Sequence, residues 1–448
     1  MKHPSKMTDD ELFRELRFLD SLNNISVDNL LDGSFNIDID PDTTLTARGE
    51  LFDTSKQGII ADIVDSVYLE RVEVRRKEKI VKLAIENETD STRKAELEKE
   101  FIQLYNEQLG IKILINSLYG AFSNQYFRFY DERIAESITL TGQLTIKWIE
   151  KALNKFFNEY LNTSDIDYII AIDTDSVYIN FQEFVDQKTN KTMTKKEIVQ
   201  VINKFDIEVI QPLIEATYTS LQHKLGAKRQ EMVMKREDIA DKAIWTGKKR
   251  YILQVLDSEG VTYNEPKIKI KGIECVKSST PMVCRTMIKD SIKIILNEDE
   301  RTVQKYIQEC YDKFCRQNVV DIAFPRGISN LEKYSSSETL YKKATPIQVR
   351  SAILYNHHLK KFGIDKKYHS IKTGDKIKFI YLTMPNTIKQ NVIGFIDVLP
   401  DEFGLHEYID YETQFEKAFV APIQKILDTC NWSWKYKPPV ITLNKYLK

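Results

Sequence analysis

Hydrophobic positions along the chain fall into two textures that meet near Gly120. Between Ile59 and about Asn87, Ile63, Val67, Val74, Ile80 and Leu83 punctuate an otherwise highly charged stretch at helical spacing. The polar segment Glu86 to Ser91 reads as a turn. A second helix is expected from about Thr92 to Gly120, with Leu97, Phe101, Leu104 and Tyr105 on its apolar side. Two long charged helices joined by a short turn make a helical hairpin.

Beyond Gly120 the periodicity is mixed. Gly142 to Tyr160 is helical. Tyr168 to Ile172 and Val177 to Phe181 are β-branched and aromatic runs flanking a short acidic turn, which predicts a β-hairpin. A helical stretch from Lys195 to Lys224 follows, then strands around Met232, Tyr251 to Leu256 and Lys267 to Ile273. Helical patterns return from Ser279, interrupted by Pro325-Arg326-Gly327 and a β-rich patch from Lys376 to Leu382. The first fifty residues hold a short helical pattern (Asp9 to Leu22) and turns at Asp32-Gly33 and Asp40-Pro41-Asp42. No internal repeat or low-complexity segment is present.

At 448 residues the chain is too long for one ordinary core, and two to four packed units are expected. The formal net charge of −1 means that any surface for nucleic acid must be local. Five cysteines, odd in number and without a CxxC pair, argue against a zinc site and for a reducing compartment. No apolar run approaches the ~20 residues that cross a bilayer, and no signal-peptide pattern opens the chain. The expectation is a soluble cytoplasmic protein with no membrane partner.

Three segments carry chemistry. In Lys112-Ile-Leu-Ile-Asn116-Ser117-Leu-Tyr119-Gly120, Lys112, Asn116 and Tyr119 share one helical stripe. A cation, an amide and an aromatic ring in a row could hold a phosphate chain and a flat base, and Gly120 would let a base pair approach the backbone. A charged helix with a C-terminal glycine cap has the same sequence. In Asp173-Thr174-Asp175-Ser176, two carboxylates sit at a hairpin tip, a placement that suits Mg²⁺ with substrate phosphates; aspartate is also simply a good turn residue. In Trp245-Thr246-Gly247-Lys248-Lys249-Arg250-Tyr251, cations beside aromatics lead into a strand and could grip a nucleic-acid backbone. A solvated charge run reads alike.

Taken in order, the three segments resemble the family B DNA polymerases. Lys112 to Gly120 is similar to the family's KxxxNSxYG fingers helix, Asp173 to Ser176 to its DTDS palm motif, and Lys248 to Tyr251 to its KKRY motif. Phe127 to Asp131, Glu265 to Ile270, Lys277 to Pro281 and Tyr411 to Pro422 resemble the T-even-like phage replicative branch, so the likeness runs from about Leu51 to the end. It implies an α+β right-hand fold: a connector (1–55), an α-helical fingers hairpin (56–124), an antiparallel-sheet palm with packed helices (125–275) and a mostly helical thumb (276–448).

By the same resemblance Asp175 is a palm metal ligand and Asp173 its neighbour, in a two-Mg²⁺ site that joins deoxynucleoside triphosphates to a primer. Lys112 and Asn116 face the triphosphate, with Lys112 also placed as proton donor to pyrophosphate, and Tyr119 lies beside the nascent base pair. Arg71 and Arg75, at i and i+4 on the opposing helix, match triphosphate-binding cations. Lys248, Lys249, Arg250 and Tyr251 contact primer-template DNA, and Glu237 stands near a further palm carboxylate. Asp206-Ile207-Glu208 spells a proofreading-exonuclease signature but follows the palm hairpin, out of the family's order, and is set aside.

The first palm motif of the family, D-x-x-S-L-Y-P-S, does not occur; Asp38, Asp40 and Asp42 lack its context. The expectation is therefore a split polymerase. A partner chain would bring that motif, one set of Mg²⁺ ligands and the exonuclease domain, complete the palm sheet, and leave this chain nearly inactive alone. The segment Thr442 to Lys448 reads equally as a diverged sliding-clamp peptide or a frayed tail. A non-catalytic DNA- or replisome-binding module is the alternative. A reverse transcriptase would leave the NSLYG helix and the KKRY-like run unexplained. If the chain is phage-encoded, its place is the host cytoplasm.

Overall fold

The computed structural model describes residues 8, 22, 24–35 and 39–435. The expected helix from Asp9 to Leu22, except Leu22 itself, Asp38 and the segment Thr442 to Lys448 lie outside the described residues. Backbone contacts divide the chain into two compact units, Met1–Arg236 and Glu237–Lys448.

In the first unit a short helix α1 (Val27–Asp32), capped by the Ser26 hydroxyl, precedes an antiparallel ribbon of β1 (Thr43–Leu45) and β2 (Leu51–Asp53). The helical hairpin follows as α2 (Ile59–Asn87) and α3 (Ser91–Phe122). The Asp90 carboxylate accepts from the Thr92 and Arg93 amides and so satisfies orphan donors at the start of α3. A third long helix, α4 (Glu132–Tyr160), is capped by Asp131. It begins ten residues before the helical pattern that starts at Gly142.

The acidic hairpin is β3 (Ile169–Asp173) and β4 (Ser176–Ile179), a two-stranded antiparallel sheet. Behind it lie α5 (Gln182–Lys188), α6 (Lys195–Phe205) and α7 (Gln211–Leu225). Periodicity alone reads α6 and α7 as one helix, but a π turn at Asp206–Ile210 separates them, with the Gln211 amide donating to the Asp206 carbonyl. Pro212 supplies the cause: it has no N–H for the carbonyl four residues back and its ring would strike that carbonyl, so the helix widens just before it. Phe156, Phe157, Tyr160, Phe181, Phe184 and Phe205 pack into one aromatic core, with the Phe184 and Phe205 rings 4.3 Å apart. A second core joins Leu30, Leu45, Leu144, Leu221 and Leu225.

The second unit opens on an antiparallel meander of β5 (Asp238–Gly247), β6 (Arg250–Ser258) and β7 (Val261–Lys271). The strand expected around Met232 does not form; residues 227–237 are irregular and Met232 is exposed. Helices α8 (Met282–Asn297) and α9 (Glu300–Phe314) and the short α10 (Val319–Ile322) follow. Strand β8 (Phe324–Gly327), helix α11 (Leu331–Tyr334), a ribbon of β9 (Ser335–Ser336) and β10 (Leu340–Tyr341), and α12 (Ile347–Lys361) come next. Then β11 (Lys376–Tyr381) pairs with β8 on one side and with β12 (Val392–Phe395) on the other.

The chain closes on α13 (Tyr411–Phe415), a π turn (Glu416–Val420) and α14 (Ala421–Thr429), which packs against β5. This second π turn also stands just before a proline, Pro422. One apolar core built from Ile252, Ile288, Phe314, Tyr355, Phe395 and Phe419 unites these elements. The fold is α+β, and all named strand pairs are antiparallel.

Candidate active site and nucleic-acid interface

In the first unit the turn between β3 and β4 is tight. Asp173 pairs with Ser176, leaving Thr174 and Asp175 at the tip. The Asp175 amide donates to the Asp173 carbonyl (2.8 Å) and the Ser176 hydroxyl to the same oxygen (3.1 Å). Thr174 carries a φ of 62°, the left-handed region that a β-branched residue avoids. Such strain persists where surrounding contacts over-determine the backbone, and it clusters at functional sites. The turn brings two carboxylates within three residues, with Asp173 half-buried and Asp175 exposed. Hard oxygen donors at an open tip fit Mg²⁺, which prefers one or two carboxylates plus phosphate and water to a closed cage. Among the described residues no group of three or more carboxylate, histidine or cysteine ligands gathers anywhere.

The hairpin carries the second group. Lys112, Asn116 and Tyr119 lie exposed along one stripe of α3. On α2, Arg71 and Arg75 are half-buried, and Arg71 Nη2 reaches the Gln108 side chain (3.5 Å) one turn before Lys112. Burial, and then the charge of Arg75, pull the Arg71 guanidinium below its ordinary value. Its Nε has no hydrogen-bond partner among the described residues. The charges of Tyr68 and Glu78 offset part of that downward shift. Gly120 lies inside α3, which continues to Phe122, so it is not a helix cap. A Cβ added there would meet nothing within 4 Å. The protein's own packing therefore does not require glycine at this position.

The two carboxylates of the exonuclease-like signature, Asp206 and Glu208, occupy the π turn. Burial raises the Asp206 carboxyl, although a hydrogen bond from Gln211 Nε2 (3.3 Å) and the charge of Arg236 oppose the shift. Glu208 pairs with Lys204 across one helical turn (3.9 Å). Asp40 accepts from the Asp42 amide and Asp42 pairs with Lys228 (3.1 Å). Those contacts give each carboxylate a local structural task.

In the second unit, Lys248 and Lys249 form the two-residue turn between β5 and β6, and both are exposed. Arg250 begins β6 and Tyr251 follows, buried and 6.3 Å from the Trp245 ring. Glu237, at the head of this unit, stands 3.6 Å from the Lys269 amine.

Some residues near these sites escape a reading of sequence pattern. Tyr218 of α7 is buried, and burial together with the negative charge of Asp175 raises its phenol. Nothing in its helical spacing separates it from core. In the second unit Arg326 and Arg350 flank Tyr381, whose phenol burial raises and these two cations pull back down. Neither arginine makes an ion pair among the described residues. Arg326 donates to the carbonyls of Ser279 and Pro325, and Arg350 Nη2 to Asn391 Oδ1 (2.8 Å).

The sequence profile of DNA polymerase family B matches residues 24–225, which span the hairpin, the acidic turn and α7. The DNA-directed DNA polymerase of Escherichia phage RB69 is 32% identical over 376 residues, covering 81% of this chain and 41% of that protein. The chain belongs to DNA polymerase family B. The corresponding enzyme of Enterobacteria phage T4 is 31% identical over 355 residues, covering 76% of this chain and 39% of that protein. DNA polymerase II of Escherichia coli (strain K12) is 25% identical over 275 residues, 61% of this chain and 31% of that enzyme. The chain spans about two fifths of the length of the phage polymerases that it matches (41% and 39%). A likeness over four fifths of the chain also extends this family B assignment beyond the first unit.

Proposed function

We propose that this chain supplies the fingers, the DTDS part of the palm and the thumb of a template-directed DNA polymerase, which adds deoxynucleotides to a primer 3′ end. The single observation that carries the reading is the strained Thr174 turn, which holds Asp173 and Asp175 together in a chain of this family. Asp175, with Asp173 beside it, would hold Mg²⁺. When bound, the metal supplies charge stabilisation for phosphoryl transfer.

The remaining roles belong to the chain's own side chains. Arg71, Arg75, Lys112 and Asn116 bind the triphosphate and neutralise it. Lys112 stabilises the departing pyrophosphate and can donate a proton to it. Tyr119 and the open face at Gly120 receive the new base pair. The turn that opens the Lys248 to Tyr251 segment, with its exposed Lys248 and Lys249, grips the primer-template duplex through the DNA backbone rather than the base sequence.

D-x-x-S-L-Y-P-S, which the family resemblance pairs with DTDS, does not occur in these 448 residues. In this reading a carboxylate on a segment carrying that motif, outside these 448 residues, completes the metal site, and a partner chain is the form in which we expect it.

The test is primer extension with Mg²⁺ and four deoxynucleotides. It compares this chain alone, the chain with a partner bearing D-x-x-S-L-Y-P-S, and that pair with Asp175→Ala. Extension by the pair only, abolished by the substitution, is the expected result. Extension by the chain alone would overturn the missing-carboxylate argument. A folded pair that binds DNA without extending it would leave a non-catalytic binding module.

A further inference from the structure

The four residues Lys248 to Tyr251 are not equivalent in the structure. Lys248 and Lys249 project from the turn, whereas the Arg250 guanidinium lies against Glu274 in a two-pronged ion pair. Arg250 Nη1 is 2.9 Å from Glu274 Oε1 and Nη2 is 2.7 Å from Oε2. Planar, bidentate pairing of this kind is both strong and directional. Both partners are about one fifth exposed, at 22% each, so water screens the pair less than it would on an open surface. Burial alone would raise the Glu274 carboxyl, but the Arg250 hydrogen bonds and charge outweigh it and hold the group below its ordinary value. Lys277 adds a third contact at 3.3 Å.

A second, independent contact fixes the same turn. Lys249 has a φ of 59° and Gly272 one of 67°. A Cβ on Gly272 would sit 2.2 Å from the Lys249 carbonyl oxygen and 3.1 Å from Arg250 Cγ. Only a glycine lets the end of β7 close onto the back of the turn. The segment after β7 thus touches the turn twice, through Gly272 against the Lys249 backbone and through Glu274 on the Arg250 side chain.

We propose that Gly272 and Glu274 are positioning residues for DNA binding: with Arg250 they form a brace that holds the Lys248–Lys249 turn against the duplex backbone. Arg250 is a member of this brace and not a phosphate contact. The inference rests on the reading of this turn as a nucleic-acid grip. It makes a prediction opposite in sign to simple electrostatics. Glu274 is an anion beside a DNA-facing turn, so replacing it with a neutral isostere would tighten binding if only charge mattered. It would also free Arg250 to take a phosphate. If Glu274 is a brace, the same change loosens the lysines and weakens binding.

The experiment measures the affinity of the full chain for a fluorescein-labelled primer-template duplex over a range of NaCl concentrations. The variants are Lys248→Ala, Glu274→Gln and the charge swap Arg250→Glu/Glu274→Arg, with thermal unfolding recorded for each. Lys248→Ala should lower the slope of log affinity against log salt by about 1. Glu274→Gln should weaken binding roughly fivefold to tenfold and lower the slope as well, and the swap should restore most of the loss. Tighter binding or a steeper slope for Glu274→Gln, with Lys248→Ala behaving as expected, would overturn the brace alone. An unchanged slope for Lys248→Ala would overturn the reading of the turn as a DNA contact, and the brace with it.

Discussion

Thr174 and His358 show single residues held where free side chains would not stay. A β-branched residue in the left-handed region costs on the order of 1–2 kcal/mol. Thr174→Gly should therefore raise the free energy of unfolding by about 1 kcal/mol in a urea titration, while slowing primer extension by the assembled enzyme because the carboxylate pair loosens. A variant that is more stable and equally active would show that the strain serves nothing. His358 is 4% exposed on α12, and its Nδ1 has no hydrogen-bond partner among the described residues. Burial, with the charges of His357 and Lys361, pushes its imidazole down to about 4. The unfolded chain then takes up the proton first, near pH 6.5. The stabilisation is complete above that pH and is lost as pH falls towards 4. Between pH 7 and 5 the wild type should lose about 2 kcal/mol more than His358→Leu does, read from urea titrations across that range.

Among the elements, the α2–α3 hairpin depends on Asp90, whose carboxylate caps the first turn of α3. Asp90→Ala should cost about 1 kcal/mol, seen as faster amide exchange in the first two turns of α3, with little change in α4. The long elements were the legible ones. The hairpin helices lie within two residues of the boundaries that their charged, periodic sequence implies, and the acidic β-hairpin forms around Asp173 to Ser176 as its β-branched flanks require. What the pattern missed has definite causes. The start of α4 was hidden because Glu132 to Thr141 mixes polar and apolar residues without a clear stripe, and only its Asp131 cap could have announced it. The single helix read across Lys195 to Lys224 is split by the π turn at Asp206–Ile210, for which Pro212 was the available signal. A strand around Met232 fails because Gln230 to Arg236 offers apolar residues but no partner strand. Tandem motifs made Lys112, Asp175 and Lys248 visible. Gln108 and Glu274 stayed invisible, since their importance lies in which distant side chain they meet.

For the whole molecule, the relevant fact is a chain that divides at Arg236/Glu237, with residues 227–237 irregular and Lys228, Arg229 and Lys235 exposed. Lys228 and Arg229 are tied back to Asp42 and Asp65 by ion pairs. Lys235 is exposed and makes no ion pair among the described residues. Brief trypsin treatment should cut first between residues 228 and 236 and yield two protease-resistant pieces of comparable size. Mass spectrometry of the fragments would check this; early cuts spread through α8 or α9 instead would contradict two separately packed units. Such a division leaves the carboxylate turn and hairpin on one folding unit and the Lys248–Lys249 turn on the other, so polymerisation and DNA retention should be separable by mutation.

Gly120 has a cost that the folded chain does not recover. A glycine within a helix is about 1 kcal/mol worse than alanine, and here no neighbour crowds the position to justify it. A library of variants sorted by heat resistance alone would drift towards alanine at this site, whereas one sorted by copying DNA would keep the hydrogen. The position is a place where the history of a population records what it was selected to do.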